Sequence, residues 1–270
     1  MANENNGQAV VTSKIQSLKK ALEAESVQQQ FRNALQDNSG PFVASVIDLY
    51  NSDTYLQNCD PKLVIMEALK AAILKLPIIK SLGFAYIVPY KKNNVLIPQF
   101  QIGYKGLIQL AMRTGQYRII NADEVYEGEY KSKNKLTGEF DLTGEPKSEK
   151  IIGYFAHFEM LNGFTKTLYS TVEKVTAHAT KYSKSYNTAA SPWKTEFDSM
   201  AKKTVLRGLL GKWGILSVEM ISAINDDDVD VAETVQKEIK TNSNKKTMGF
   251  DEAQMVDQDG VLIEENGPGF

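Results

Sequence analysis

The chain has 270 residues, 42% hydrophobic and 24% charged, which fits a globular protein with room for one large domain or two modest ones and excludes a collagen-like or wholly disordered chain. A single cysteine, Cys59, rules out an internal disulfide framework and a cysteine-built zinc cluster, and with only His157 and His178 besides, a metal site of nitrogen and sulfur ligands is not expected. The net charge of −2 hides a split: residues 221–270 carry four lysines against twelve acids, the other 220 residues net +6, and residues 166–213 alone hold nine basic side chains and three acids.

Residues 1 to about 25 are polar, which predicts a frayed start, and Asn3, Glu4, Asn5 and Asn6 lack the pattern of a signal peptide, so a soluble cytoplasmic protein is expected. A helix should follow, broken by Ser39-Gly40-Pro41, and Phe42 to Tyr50 shows apolar residues at helical spacing. Asp60 is placed to cap the next helix, with Pro61 at its first position, where a missing N–H costs nothing. Val64, Ile65, Ala68, Leu69, Ala72, Ile73 and Leu76 form its apolar stripe, and Pro77 should end it. Lys75 interrupts the longest apolar run, Ala71 to Ile79, so no membrane span is expected.

The period then changes. Phe84 to Tyr90 and Val95 to Ile102 read as strands around a turn at Lys91 to Asn94, with Pro89 and Pro98 at strand ends or on an edge. Gly103-Tyr104-Lys105-Gly106 leads into a short helix, Leu107 to Thr114, with Gly115 just past its end, and Tyr117 to Tyr126 reads as a strand. Residues 127–150 look like a mobile hairpin or insertion, whereas Asn162-Gly163 between Ile151–Leu161 and Phe164–Tyr169 is a strong hairpin signal. Ser170 and Glu173 have capping-box spacing for a helix to about Tyr182, and Ser191-Pro192-Trp193 should open another with Phe197, Met200, Ala201, Thr204, Val205 and Leu209 buried. The expected divisions are a polar arm and helix over 1–38, an α–β–α core over 39–225, and an acidic, largely disordered tail over 226–270.

No G-x-x-x-x-G-K-[ST] or G-x-G-x-x-G occurs, which disfavours an ATP-driven recombinase or helicase. Asp123, Glu124, Glu127 and Glu129 admit a Mg²⁺-dependent nuclease, although strand alternation puts Glu124 on the face opposite Asp123 and Glu127, and a solvated strand edge is the commoner reason for such a run. Neither histidine has a nucleophile's context. The stretch from Lys166 to Lys212 instead interleaves bases with aromatics, among them Tyr169, Lys181, Tyr182, Lys184, Tyr186, Lys194, Lys202, Lys203 and Arg207. Cations with stacking rings suit sequence-independent binding of a single nucleic-acid strand, and a solvated helical surface is the plainer alternative. Lys203 and Arg207 share a helix face with Lys202 a quarter turn away, while Trp193 and Trp213 read as core or interface. Tyr104 and Lys105 stand where a strand hands over to a helix and backbone N–H groups can meet an anion, with Arg113 and Arg118 bracketing the Gly115 turn.

These blocks carry a resemblance. Leu49-Tyr50-Asn51 through Leu74-Lys75-Leu76-Pro77, then Phe84-Ala85-Tyr86-Ile87-Val88-Pro89-Tyr90, the run Gln101 to Ala111 with Arg113-Thr114-Gly115, and Met200 to Arg207 together resemble the RecT family of phage single-strand annealing proteins over roughly residues 40–215. One departure is Ile78-Ile79-Lys80, where relatives often read Ile-Asn-Pro.

The resemblance implies an α+β fold, a small antiparallel sheet packed against helices, assembled into an oligomeric ring or helical filament. It implies ATP-independent binding and annealing of complementary DNA strands in phage homologous recombination, by a non-enzyme that needs no cofactor and for which Mg²⁺ is at most modulatory. Single-stranded DNA and the annealed duplex are the expected partners, contacted through Tyr104, Lys105, Arg113, Arg118, Lys166, Lys181, Lys202, Lys203 and Arg207. A phage exonuclease and a host single-stranded-DNA-binding protein are expected at the acidic tail, which ends in Phe270, in the bacterial cytoplasm. A nuclease using Asp123, Glu124 and Glu127, or a structural phage protein with a basic strip, are the alternatives.

Overall fold

Asp60 caps its helix as the sequence requires: its Oδ1 accepts the Lys62 N–H at 2.9 Å, and Pro61 takes the first position. The computed structural model describes residues 14–92, 94–183, 185–188, 191–217 and 220–221; the expectations for residues 1–13, Lys184 and the tail lie outside the described residues. Four helices come first: α1 (residues 14–22), α2 (Glu25–Leu35), α3 (Ser39–Ser52) and α4 (Pro61–Ile73). The polar-looking start is therefore helical from residue 14, because Leu18 and Leu22 are buried and anchor α1 in the core.

Two expectations about helix ends are corrected. The break before α3 falls at Gln36–Asn38, where Gln36 takes a left-handed φ of 53°; Ser39-Gly40-Pro41 forms the first turn of α3, a position a proline tolerates. Helix α4 stops at Ile73, four residues short of Pro77, because Lys75 turns left-handed with φ 52°. Its buried face is Val64, Ile65, Ala68, Ala71 and Ala72, and Ile73 points outward at 60% exposure.

Strands β1 (Ala85–Lys92) and β2 (Val95–Ile102) form an antiparallel ribbon in which Pro89 pairs with Pro98, both on edges as a two-stranded ribbon allows. Helix α5 (Tyr104–Arg113) follows, with Gly115 left-handed beyond it at φ 66°. A second antiparallel sheet runs in the order β3 (Tyr117–Tyr126), β6 (Ile151–Met160), β7 (Thr165–Thr171), and a small hairpin joins β4 (Ser132–Lys133) to β5 (Phe140–Asp141). Asn162-Gly163 makes the β6–β7 turn, with Gly163 at φ 83°.

The insertion at 127–150 is folded rather than loose: Tyr130 stacks on Tyr169 of β7 at 5.2 Å and Phe140 meets the same ring at 5.7 Å. Helix α6 (Val172–Tyr182) is capped by Thr171, whose hydroxyl accepts the Lys174 N–H at 3.4 Å, so the cap lies one residue beyond Ser170, which remains paired in β7. The last expected helix is two, α7 (Pro192–Thr195) and α8 (Phe197–Trp213), parted by the non-helical Glu196.

The described body is α+β. Helix α8 lies across the three-stranded sheet, burying Ala201, Val205, Leu206, Leu209 and Leu210 against the inward row Tyr154, Ala156, Phe158 and Met160 of β6. Alternation along β6 produces that row, and each large side chain removed from water contributes ~1.5–3 kcal/mol. Helix α4 covers the β1–β2 ribbon, with α2 and α3 packed around it. Among the described residues no helix is long and apolar enough to cross a membrane.

Candidate nucleic-acid interface

The interface begins with two glycines. Where α5 crosses the entry to β1, a Cβ on Gly103 would overlap the Gly83 carbonyl and one on Gly106 the Phe84 carbonyl, so only glycine fits. The Gly103 N–H donates to Phe84 O at 2.9 Å, seating the helix on the ribbon. Helix α5 consequently starts at Tyr104, three residues earlier than expected, which puts Tyr104 and the exposed Lys105 in its first turn. The backbone N–H groups of that turn have no side-chain cap from Gly103, and Lys105, in the same turn, is exposed.

Helix α8 packs beside α5 and brings its basic residues there. Lys202 Nζ lies 5.5 Å from the Tyr104 ring centroid and donates to Glu124 Oε1 at 2.8 Å, with Asp123 Oδ1 at 3.8 Å. Lys203 is buried to 9% exposure and donates to Gln101 Oε1 of β2 at 3.2 Å. Arg207 follows one turn on, half-buried and already engaged within the body. Four residues before Lys202, Asp198 accepts the Tyr154 hydroxyl at 2.5 Å. One helix thus holds β2, β3 and β6 by polar links: Lys203 to Gln101, Lys202 to Glu124, and Tyr154 to Asp198.

The charges are tuned by these links. Burial alone would pull the Lys202 ammonium down, but the hydrogen bond and charge of Glu124, with Tyr104 and Asp123 nearby, outweigh it and raise its pKa. The Glu124 carboxyl is driven down, by its hydrogen bond with Asp123 and then by Lys202 against the opposing effect of burial. Asp123 moves up because it shares that hydrogen bond with Glu124. The Tyr154 phenol is pushed well above its ordinary value by burial and then by Asp198.

Lys202 and Tyr104 therefore meet where α5 packs on α8, Lys105 follows Tyr104 on α5, Lys203 and Arg207 follow Lys202 on α8, and the other four candidates lie elsewhere. Arg113 caps α4, donating to Leu74 O at 2.5 Å and Lys75 O at 3.0 Å, and its burial lowers its pKa. Arg118 pairs with Glu159 at 2.8 Å across the β3–β6 pair. Lys166 donates to Thr137 O in the β4–β5 hairpin and stands 5.4 Å from the Trp213 ring; Lys181 stands 5.0 Å from Tyr182 at the end of α6. Trp193 is core, T-stacked on Phe197 at 5.8 Å, while Trp213 is half-buried.

The acids do not assemble as the nuclease alternative requires. Glu124 sits opposite Tyr154 in the ladder and so points inward to Lys202, and Glu127 accepts Ser148 Oγ at 2.9 Å. Among the described residues no group of three His, Cys, Asp or Glu side chains could hold a metal ion. Sequence reasoning missed Glu124 and Gln101 as partners of Lys202 and Lys203, and no local signal points to pairings 78 and 102 residues long. It also passed over Lys131, Lys133 and Lys135, whose alternation on one side of a turn was legible.

Residues 40–244 match the RecT family, a range that contains every residue of this interface. The chain is 47% identical over 213 residues to the uncharacterized protein YqaK of Bacillus subtilis (strain 168), covering 78% of this chain and 72% of that protein. It is 30% identical over 188 residues to Protein RecT of Escherichia coli (strain K12), covering 64% of this chain and 65%, just under two thirds, of that one.

Proposed function

The chain belongs to the RecT family, whose general role is DNA recombination and annealing, and from that premise we propose that it binds single-stranded DNA and anneals complementary strands without ATP. The observation that carries the proposal is the family match across residues 40–244, which contains the whole α5–α8 basic cluster. Phosphates meet Lys105, the α5 N-terminus, Lys202, Lys203 and Arg207, with Tyr104 offering a ring beside them. Arg113, Arg118, Lys166 and Lys181 take the outer part of the path. Cations neutralise the backbone without reading sequence, so the bases stay free to pair with a second strand. No bond is made or broken by side chains; duplex stacking supplies the free energy.

Holding many nucleotides in register calls for self-association through a heterologous interface that propagates rather than closing as a dimer. The acidic segment 226–270 serves partners rather than annealing, a phage exonuclease or a host single-stranded-DNA-binding protein being the kinds it suits, so its deletion should leave annealing by the purified protein intact. The deciding experiment mixes two complementary oligonucleotides with the protein in the absence of nucleotide and follows duplex formation by energy transfer. Faster pairing than in protein-free controls is expected; pairing at the control rate overturns the proposal, and Mg²⁺-dependent loss of label points to the nuclease reading.

A further inference from the structure

We infer that the β4–β5 hairpin is a DNA contact in its own right, which lays Lys133 and Lys135 along a single strand and sets Leu136 against its bases. The inference rests on the reading above and adds to it a surface remote in sequence from the α5–α8 cluster.

The hairpin tip has the composition such a contact needs. Lys131, Lys133 and Lys135 alternate along residues 131–138 with no acid among them. Lys131 is held to Thr143 Oγ1 at 3.2 Å near Asp141, whereas Lys133 lies 4.8 Å from the Phe140 ring, an aromatic rest that leaves its charge unneutralised. Among the described residues none of the three forms an ion pair within 4 Å.

The tip is also built to hold one shape. Asn134 Oδ1 accepts the Leu136 N–H at 2.9 Å and the Thr137 N–H at 3.3 Å, while its backbone pairs with Gly138 and Glu139 at 2.8 and 2.9 Å. That turn holds Leu136 out at 97% exposure. An aliphatic side chain fixed in water among lysines gains nothing within the chain, but it has the character of the apolar wedges that proteins insert between stacked bases.

The hairpin is joined to the rest of the basic surface. It straddles the edge strand β7: Tyr130 and Phe140 rest on Tyr169, which pairs across from Phe155, while Thr137 O receives Lys166, which pairs across from Phe158 on the α8 side. Lys166 in turn stands 5.4 Å from the Trp213 ring, and Lys212 stands 4.6 Å from it. From the tip, cations therefore continue through Lys166 and Lys212 to α8, where Arg207 and Lys203 lie nearer its start. A flexible strand of phosphates fits a path of lysines, rings and an apolar point better than a folded acidic protein does, because it offers anion and apolar face in alternation.

The test labels the tip. In Leu136→Cys the new thiol is exposed, whereas Cys59 is buried with its thiol pushed up to about 11, so a maleimide fluorophore reports residue 136 alone. Adding oligothymidylate should cut iodide quenching of that label. Lys133→Ala with Lys135→Ala should lower the magnitude of the salt slope of single-strand binding by about 1.4, at about 0.7 per phosphate contact. Wild type should raise the emission of a 2-aminopurine oligonucleotide by unstacking it, and Leu136→Ser should not. Quenching and salt slope both unchanged in a complex that forms with wild-type affinity would overturn the inference while leaving the proposed function standing. Protection of the label by protein concentration alone, without DNA, would overturn it in favour of a contact between copies. Failure of the wild type to bind the oligonucleotide at all would overturn both.

Discussion

Lys202 on α8 and Glu124 on β3 lie 2.8 Å apart across 78 residues of sequence, and this pair fixes where the basic helix sits. Their side chains are only 15% and 16% exposed, so the pair is worth more than a surface ion pair, and removing one partner leaves the other's charge half-buried. Lys202→Ala and Glu124→Gln should each lower the urea midpoint, and the double variant should show a coupling of ~1–3 kcal/mol. The two differ in DNA binding. Glu124→Gln frees Lys202 and should tighten single-strand binding, while Lys202→Ala should weaken it; equal affinity in both would remove Lys202 from the DNA path.

Arg113, besides its proposed place on the outer part of the path, should have a structural role. Arg113→Ala exposes the Leu74 and Lys75 carbonyls that end α4 and should cost about 1–3 kcal/mol in chemical denaturation. Arg113→Lys keeps the charge but cannot fork to both carbonyls, so it should recover only part of the loss. If Arg113→Lys restored stability fully, charge rather than the two-carbonyl fork would explain the residue.

His157 gives the body a pH dependence. Burial holds its imidazole below the ordinary 6.5, against a smaller upward pull from Glu159, and its Nδ1 lies 2.8 Å from Thr167 Oγ1. The unfolded chain then takes up a proton at a higher pH than the folded one. The His157 contribution is complete above the unfolded value and falls as pH drops from there toward the folded pKa. Urea midpoints measured at about pH 7.5 and about pH 5.5 should fall less in His157→Gln than in wild type. Equal falls would assign the acid sensitivity to other groups.

Gly106 tests the seat of α5. A methyl group there meets the Phe84 carbonyl and the Ile102 side chain, so Gly106→Ala should destabilise by at least ~2 kcal/mol despite alanine's higher helix propensity. Gly115→Ala, with open space around it but a left-handed backbone, should cost only about 1 kcal/mol. Thermal melts of the pair separate the two causes, and a milder loss at Gly106 than at Gly115 would count against the close approach.

Local chemistry was readable and long-range chemistry was not. The Asp60 cap, the Asn162-Gly163 turn and the span of β3 follow from residues within a few positions of each other. The cap at Thr171 was missed by one residue because Ser170 and Thr171 offer the same hydroxyl, and β7 runs on through Thr171 before α6 opens at Val172. By helical spacing Lys203 shares a basic face with Arg207, and Lys202 stands a quarter turn away; the fold engages both Lys202 and Lys203. Their partners, Glu124 and Gln101, come from two different sheets, and no window on α8 contains them. The candidate cations were legible in the sequence; which of them the fold had already engaged was not.

Synthesis proceeds from α1 toward α8, so the inward row of β6, Tyr154, Ala156 and Phe158, is translated before the helix that covers it. Until residues 197–213 have emerged, the nascent chain carries an apolar strip and an unpaired Glu124 on the surface that α8 will occupy. Such long-range closure is slow relative to hairpin formation and leaves sticky surface open in the meantime. A chain cut short before Phe197 should therefore aggregate, and any pause in translation just upstream of α8 would lengthen the interval in which the strip is uncovered.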